Sequence, residues 1–377
     1  MRILIAPNAF KGTLTAGEAG AAAARGVKRV CGAEVEVLPI ADGGDGLLEA
    51  LRPVLGGGIM RTRVEGPLGE KVTARWLMAG RTAVIEMAGA SGLRLLGAGR
   101  LRPLDASTSG VGQLMAAAAL KGAREIIVGL GGSASNDGGS GCAEAFGFGL
   151  LDSRGRPIAR GARGLASLVS ISAGKTGERL KGVKVTGLAD VRNPLCGRLG
   201  SARVFGPQKG AGPREVKFIR KALLSYARVL KECFKLDVST LPGGAAAGGL
   251  GAGLAAFFGA GLEDGAAFVL ERTGFEKKLA GADLLITGEG CFDRQTFYGK
   301  APGAALAAAA RLGKPAIVVC GVSRLEDPRE LKRRGVLGLI KAGLFPSPAA
   351  AVEAAVKKEL PGLLRKLRCE NGVSRHL

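Results

Sequence analysis

The chain has 377 residues, a formal net charge of +22, one histidine and 63 glycines, and its 47% apolar content excludes wholesale disorder. This glycine content is more than twice the usual share of about 7%, and the length predicts two domains. Since the only histidine is His376, next to the last residue, Ser-His-Asp and Cys-His catalysis and histidine-ligated zinc are excluded. An enzyme of this sequence must use carboxylates, lysines, arginines and backbone amides.

The seven cysteines form no Cys-x-x-Cys motif, and no secretory leader is visible, which predicts a reducing, cytoplasmic location. Residues 241–262 carry no charge, but they are rich in Gly and Ala, and this favours a buried loop and helix over a membrane span. The basic residues are mostly scattered, the densest run is residues 332–334, and aromatic residues make up only 4%. We therefore expect a solvated basic surface, with a basic nucleic-acid-binding protein as the alternative of a different class.

The predicted elements alternate between short apolar strands and Ala-rich helices at both ends of the chain. In chain order, strands are predicted at residues 2–6, 34–38, 59–65, 71–78, 81–87, 125–130, 283–287, 315–320 and 336–340. Helices are predicted at residues 15–30, 301–312, 327–334 and 348–367. The three strands from 59 to 87 are linked by turn residues and predict an antiparallel meander, which differs from the βαβ pattern of the ends. This predicts an α/β fold with a doubly wound parallel sheet (residues 1–63 and 280–377) and a second, inserted α/β domain (64–279).

Many glycines gather in predicted loops that follow strands: residues 42–46, 131–141 and 288–290. A further glycine-rich segment spans residues 243–253. Glycine lets main-chain N–H groups approach a ligand without a Cβ in the way, and a helix N-terminus behind such a loop favours anions. Ordinary tight turns are the simpler explanation for any one glycine pair. Three such loops, each carrying an acidic residue, favour an anion site.

Acidic and basic residues in these loops have the chemistry that phosphoryl transfer needs. Carboxylates can hold Mg²⁺ or accept a hydroxyl proton, lysines can neutralise phosphate, and glycine amides can bind it. Any single loop aspartate is more often a turn or N-cap residue. The set predicts an α/β enzyme that handles phosphate: Asp42, Asp137, Asp190, Glu289 and Asp293 with Lys11, Lys209 and Lys300.

The ordered motifs resemble those of the bacterial type I glycerate kinase family. They lie at residues 5–16, 39–46, 131–139, 190–195, 205–211, 248–253, 287–296 and 299–302. The resemblance implies a flavodoxin-like α/β domain and a second α/β domain, with the active site in the cleft between them. It also implies transfer of the γ-phosphate of ATP to D-glycerate, with Mg²⁺, to give 2-phosphoglycerate.

The resemblance and this chemistry together give the candidate site residues. The candidate catalytic residues are Asp190, Asp293, Lys209 and Lys300, and the candidate Mg²⁺ ligands are Asp190 and Glu289. The candidate substrate- and phosphate-binding residues are Lys11, Asp42, Gly43, Gly44, Gly131, Gly132, Ser133, Ser135, Asn136, Asp137, Gly138, Gly139, Gln208, Gly288, Gly290 and Gln295.

Several residues depart from the family pattern, in which the first motif usually reads Pro-Asp-Ser-Phe-Lys. Asn8 and Ala9 replace its acid and hydroxyl, Arg192 stands where Asp, Asn or Thr is common, and Cys291 replaces a frequent Arg. Alternatives that stay open are a 3-phosphoglycerate-forming kinase, a kinase of a related short hydroxy acid, and a member that only binds nucleotide. The expected partners are D-glycerate and ATP, without nucleic acid or membrane, and a homo-oligomer is left open.

Overall fold

The computed structural model describes residues 1–174, 182–325, 327–343 and 346–370, so His376 lies outside the described residues. The chain divides into two compact units. The first unit comprises Met1–Asp42, Glu49–Val54 and the chain from Ala266 onward; the second comprises Gly43–Leu48 and Leu55–Gly265. The predicted domain boundaries, after residues 63 and 279, differ from these points: β-strand Gly58–Glu65 crosses the first of them.

The strands, in chain order, are β1 (Arg2–Pro7), β2 (Glu34–Val37), β3 (Gly58–Glu65), β4 (Lys71–Ala79), β5 (Thr82–Glu86), β6 (Glu125–Gly129), β7 (Gly149–Leu151), β8 (Ser170–Ser172), β9 (Lys184–Ala189), β10 (Gly261–Asp264), β11 (Leu284–Phe292), β12 (Ala316–Ser323) and β13 (Val336–Lys341).

The α-helices of the described residues are α1 (Ala16–Lys28), α2 (Leu47–Leu55), α3 (Ala88–Ser91), α4 (Ser109–Leu120), α5 (Ser140–Phe146), α6 (Gly161–Leu165), α7 (Ser201–Phe205), α8 (Pro213–Phe234), α9 (Leu250–Phe258), α10 (Gly265–Arg272), α11 (Phe275–Ala280), α12 (Ala301–Arg311), α13 (Pro328–Arg333) and α14 (Pro348–Glu370).

The first unit is built on a five-stranded sheet with the order β2-β1-β11-β12-β13, in which every neighbouring pair is parallel. Counted along the unit this order is 2-1-3-4-5, which is found in doubly wound sheets. Side chains alternate across the sheet. Ile3 and Ile5 pack with α1 and α14, whereas Leu4 and Ala6 pack on the other face with α10, α11 and α12. Both faces are therefore covered by helices.

The second unit contains a mixed six-stranded sheet with the order β10-β9-β6-β5-β4-β3. The strands from β10 to β5 are parallel, and β5, β4 and β3 form the antiparallel meander that the sequence predicts. Trp76 of β4 is fully buried, and its indole Nε1 donates to the Thr62 hydroxyl at 2.9 Å. Along α8, Ile219, Leu223 and Tyr226 are buried in the same core, which fixes this helix by one face.

The predicted strands and helices are confirmed, and their ends differ from the prediction by a few residues. The predicted loop at residues 288–290 is wrong, because β11 continues to Phe292. Parallel pairing with β12 extends from Leu285 to Phe292 and holds these residues in the sheet. Gly251 and Gly253 lie inside α9 rather than in a loop. Among the described helices, none has the length and apolar character needed to cross a membrane.

Candidate functional site

Polar side chains of the first unit meet where β1 and β11 end. In a sheet of this order, neighbouring connections leave β1 and β11 in opposite directions, and ligands bind outside the carboxyl ends of the strands at such a point. Asn8 follows β1, and its main-chain N–H donates to the carbonyl of Gly288 at 2.8 Å. Its side-chain Nδ2 donates to Asp42 Oδ2 at 3.1 Å, and both side chains are buried. Asn8 thus holds the Asp42 carboxylate at this edge.

Glu289, on the last part of β11, is the most enclosed carboxyl group of this edge after Asp42. Its Oε1 accepts a hydrogen bond from the Thr296 hydroxyl at 2.6 Å, and its Oε2 accepts one from Lys300 Nζ at 3.2 Å. Burial raises the pKa of Glu289, and the negative charge of Asp42 adds to this, while Thr296 and Lys300 act in the opposite direction. Both oxygens of Glu289 are therefore engaged in holding Thr296 and Lys300.

Asp293 and Lys300 lie at the two ends of the short segment that joins β11 to α12. Asp293 caps the 3-10 turn Arg294–Phe297, and its Oδ1 accepts a hydrogen bond from the main-chain N–H of Gln295 at 2.8 Å. Lys300 is the N-cap residue of α12, and its Nζ lies 3.9 Å from Asp293 Oδ1. The lysine charge and the positive end of the α12 dipole reinforce one another, which suits an anionic ligand.

In the second unit, Lys209 is almost completely buried against the glycine-rich loop that follows β6. Its Nζ donates to the main-chain carbonyl of Ser135 at 2.6 Å and to Ser133 Oγ at 3.3 Å. Burial lowers the pKa of Lys209 to about 7, although the carboxylate of Asp137 acts to raise it. A buried lysine near its pKa can gain or lose a proton when an anion arrives.

Asp137 fixes the shape of this loop. It is fully buried, and its Oδ2 accepts hydrogen bonds from the main-chain N–H and the hydroxyl of Thr108 at 2.8 and 2.9 Å. The main-chain N–H groups of Gly139 and Gly141 donate to Oδ1 and Oδ2 at 3.1 and 3.3 Å. With four donors from the protein, Asp137 holds the loop together, and its role in binding a substrate stays a prediction.

The glycines allow two backbone segments of the second unit to pack directly on each other. A Cβ at Gly248 would lie 1.9 Å from the carbonyl oxygen of Ser135, and a Cβ at Gly253 would lie 2.4 Å from that of Gly138. Gly138 has a positive φ of 65°, and its carbonyl accepts a hydrogen bond from the Tyr226 hydroxyl at 2.9 Å. Close packing therefore accounts for part of the glycine excess.

Comparison with known proteins decides the family. A sequence model of the glycerate kinase family matches residues 3–366. The chain belongs to the glycerate kinase family. The resemblance seen in the motifs is therefore confirmed, and the protein is a phosphotransferase.

Relatives and a solved structure agree with this. A glycerate kinase of Halalkalibacterium halodurans is 44% identical over 322 residues, 85% of each chain. A glycerate 2-kinase of Escherichia coli K12 is 40% identical over 339 residues, 89% of each chain. The crystal structure of a Salmonella typhimurium LT2 protein, provisionally named glycerate kinase 2, has a TM-score of 0.82 and 37% identity; it covers 98% of this chain and 99% of that one.

The predicted site residues of this glycerate kinase family member fall into groups. In the first unit the structure brings Asp42, Glu289, Asp293 and Lys300 together, and in the second unit it brings Lys209 to the loop with Ser133, Ser135, Asn136 and Asp137. Asp190 is half-buried and follows β9 in the second unit, and Lys11, Gln208 and Gln295 are exposed.

The glycines predicted to belong to the site lie in different structural environments. Gly131 donates its main-chain N–H to the carbonyl of Gly43 at 3.3 Å, which joins two glycine loops of the second unit. A Cβ at Gly131 would lie 2.5 Å from Gly44 Cα, so these loops pack closely. A Cβ at Gly288 would lie 1.9 Å from the carbonyl oxygen of Val319, which shows that this glycine is needed inside the sheet. A Cβ at Gly290 would lie 3.3 Å from the Cα of Phe10, so glycine at this position leaves room for the chain at Phe10.

Sequence reasoning missed the residues that orient the charged groups. Thr296 stands at the end of a motif, yet only its hydrogen bond to Glu289 shows its place in the site. Thr108 and Tyr226 hold the glycine loop from distant parts of the chain, and no pattern in the sequence connects them with it. These are tertiary contacts, which motif spacing does not encode.

Proposed function

We propose that the protein transfers the γ-phosphoryl group of ATP to the 2-hydroxyl of D-glycerate, in the presence of Mg²⁺, and forms 2-phosphoglycerate. Membership of the glycerate kinase family supports the substrate, and the relative from E. coli at 40% identity, named a glycerate 2-kinase, supports the position of transfer. The observation that carries the proposal is the cluster of Asp42, Glu289, Asp293 and Lys300 outside the carboxyl ends of β1 and β11.

Phosphoryl transfer depends mostly on positioning and on stabilising negative charge. Lys300 is fixed by Glu289 at the N-terminus of α12, and we assign to it the neutralisation of a phosphate or carboxylate. Lys209, held by Ser133 and Ser135, is assigned the same task for a second anionic group. Because the pKa of Lys209 is near 7, its protonation state can respond to a ligand, and the negative charge of a bound anion favours the protonated form.

A carboxylate must accept the proton of the attacking hydroxyl. Asp293 is our first choice, because it is half-buried and borders Lys300, and its Oδ1 is fixed by the main-chain N–H of Gln295. Asp190, half-buried after β9, is the second choice. Glu289 is a poor base, because both of its oxygens accept hydrogen bonds from Thr296 and Lys300.

The described residues contain no group of three or more His, Cys, Asp or Glu side chains that could hold a metal ion between them. This fits Mg²⁺ that arrives with the nucleotide, since Mg²⁺ is usually held by one or two carboxylates together with substrate phosphates. Each unit offers one half-buried carboxylate of this kind, Asp293 in the first and Asp190 in the second, whereas both oxygens of Glu289 already accept hydrogen bonds. When bound, Mg²⁺ would neutralise charge on the phosphates.

We propose in addition that the first unit is a flavodoxin-like domain, which its 2-1-3-4-5 strand order supports. We also propose a cytoplasmic location, because the exposed Cys233 and Cys369 are free thiols.

The test is an assay of ADP formation with D-glycerate, L-glycerate and lactate, each with Mg²⁺ and with EDTA. We expect turnover with D-glycerate and Mg²⁺ and almost none with lactate or with EDTA. ATP binding without ADP formation on any of these acids would contradict the proposal and favour a member that only binds nucleotide. A preference for another short hydroxy acid would contradict the substrate.

A further inference from the structure

One exposed face of α8 is strongly basic. Six basic residues of this helix are exposed, and we call them together the basic face: Arg214, Lys217, Arg220, Lys221, Arg228 and Lys231. Separations of three, four and seven residues bring side chains to one side of an α-helix. The opposite side is buried in the core through Ile219, Leu223 and Tyr226, so the helix cannot turn this face away from solvent. With 22 residues, α8 is about 33 Å long.

Acidic groups compensate little of this charge. The helix contains two acidic residues, and the carboxylate of one of them, Glu215, accepts a hydrogen bond from the main-chain N–H of Gly212 at 2.8 Å. The other, Glu232, is exposed. Among the ion pairs of the described residues, Lys231 alone of the basic face has an acidic partner, Asp237 at 2.7 Å. Arg203 of α7 lines the same small cavity as Arg220 and extends the positive surface.

The residue types of the basic face indicate which kind of polyanion it can bind. Leu224 is the large apolar side chain exposed on α8, and charged residues surround it, so the helix lacks the apolar stripe that inserts into membranes. None of the exposed residues of α8 is aromatic, and single strands are bound chiefly by stacking of bases on aromatic rings. A row of Lys and Arg along a helix suits regularly spaced phosphates.

We infer that the basic face of α8 binds the phosphate backbone of double-stranded nucleic acid without sequence selection. The contacts are between Lys or Arg and phosphate, and they release counterions, so the affinity falls steeply with salt. This activity is separate from phosphoryl transfer, because none of the six residues belongs to the candidate catalytic or binding residues. It gives a function to part of the net charge of +22.

The test measures binding of a fluorescent DNA duplex of about 20 base pairs to the full chain at several salt concentrations. Three phosphate contacts or more would give a slope of log K against log salt steeper than about −2.7. The variant Lys217→Glu/Lys221→Glu/Arg228→Glu should lose about tenfold or more in affinity at low salt. The control is Lys357→Glu/Lys358→Glu/Lys366→Glu, which makes the same change of charge at exposed positions of α14.

The control variant should bind the duplex within about twofold of the unchanged protein, and both variants should keep its rate of ADP formation, which also verifies folding. Equal losses in the two variants would overturn the inference, because they would mean attraction by diffuse charge. Absence of duplex binding at low salt, tighter binding of a single strand of equal length, or binding only to anionic lipid vesicles would overturn it as well.

Discussion

At the residue scale, the candidate site depends on pairs in which one side chain fixes another. Glu289 holds Lys300, Asn8 holds Asp42, and the carbonyl of Ser135 holds Lys209. The motifs contain most of these residues, so their presence in the site could be predicted from the sequence. Which of these groups is buried and which can contact a substrate depends on contacts between distant segments of the chain. This could not be predicted from the sequence.

Replacing Asp293 by Asn tests the proposed base. Asn is as good an N-cap as Asp, so the turn Arg294–Phe297 should persist and thermal stability should change little. Loss of the carboxylate should lower kcat for glycerate by about a hundredfold or more. Asp190→Asn should lower turnover in the same assay, whereas Lys332→Ala, an exposed residue of α13, should leave it unchanged. Full activity in both aspartate variants would contradict the assignment.

Replacing Lys209 by Met tests the buried lysine through the pH dependence of stability. The folded protein releases the lysine proton near pH 7, whereas the unfolded chain releases it near its ordinary value. Between these values the unfolded chain binds more protons, so stability of the unchanged protein should rise with pH relative to the variant. The free energy of unfolding of the unchanged protein, measured relative to that of the variant, should rise by about 1 kcal/mol per pH unit between about pH 7 and pH 9. Parallel thermal unfolding midpoints across this range would show that Lys209 is not buried as described.

At the element scale, strand and helix positions follow from the local sequence, while the length of β11 does not. From the local sequence alone, Gly288 and Gly290 predict a loop. β11 nevertheless continues through them, because β12 supplies pairing partners as far as Phe292. The same limit applies to charge. A search for runs of basic residues finds residues 332–334 and misses the basic face of α8, whose members are spread from residue 214 to residue 231.

Two glycine-to-alanine changes in helices separate close packing from conformational freedom. Gly253→Ala should lower the thermal midpoint, because its Cβ would lie 2.4 Å from the carbonyl oxygen of Gly138, with a cost of about 1–3 kcal/mol. Gly17→Ala in α1 meets no atom within 4 Å and should raise stability by about 0.5–1 kcal/mol. Thermal unfolding followed by circular dichroism compares them. A midpoint for Gly253→Ala equal to or above that of the unchanged protein would contradict the packing of the two glycine segments.

At the scale of the whole molecule, the two compact units each carry one group of candidate residues. The first has a parallel sheet with the charged cluster at its carboxyl edge, and the second has a mixed sheet with a glycine loop around Lys209. The alternation of strands and helices predicted the first sheet, and the turn residues predicted the meander of the second. The sequence alone could not define the unit boundaries, because the chain passes between the units after Asp42, twice within α2 and again at the start of α10.

The phosphorus NMR spectrum of the product formed from D-glycerate and ATP tests the central claim most directly. Phosphate on the 2-hydroxyl couples to the single proton of that carbon, so the account predicts a new phosphomonoester resonance that is a doublet. Phosphate on the 3-hydroxyl couples to two protons, and a triplet would therefore contradict 2-phosphoglycerate as the product. A spectrum without any new phosphomonoester resonance would contradict the proposed kinase reaction altogether.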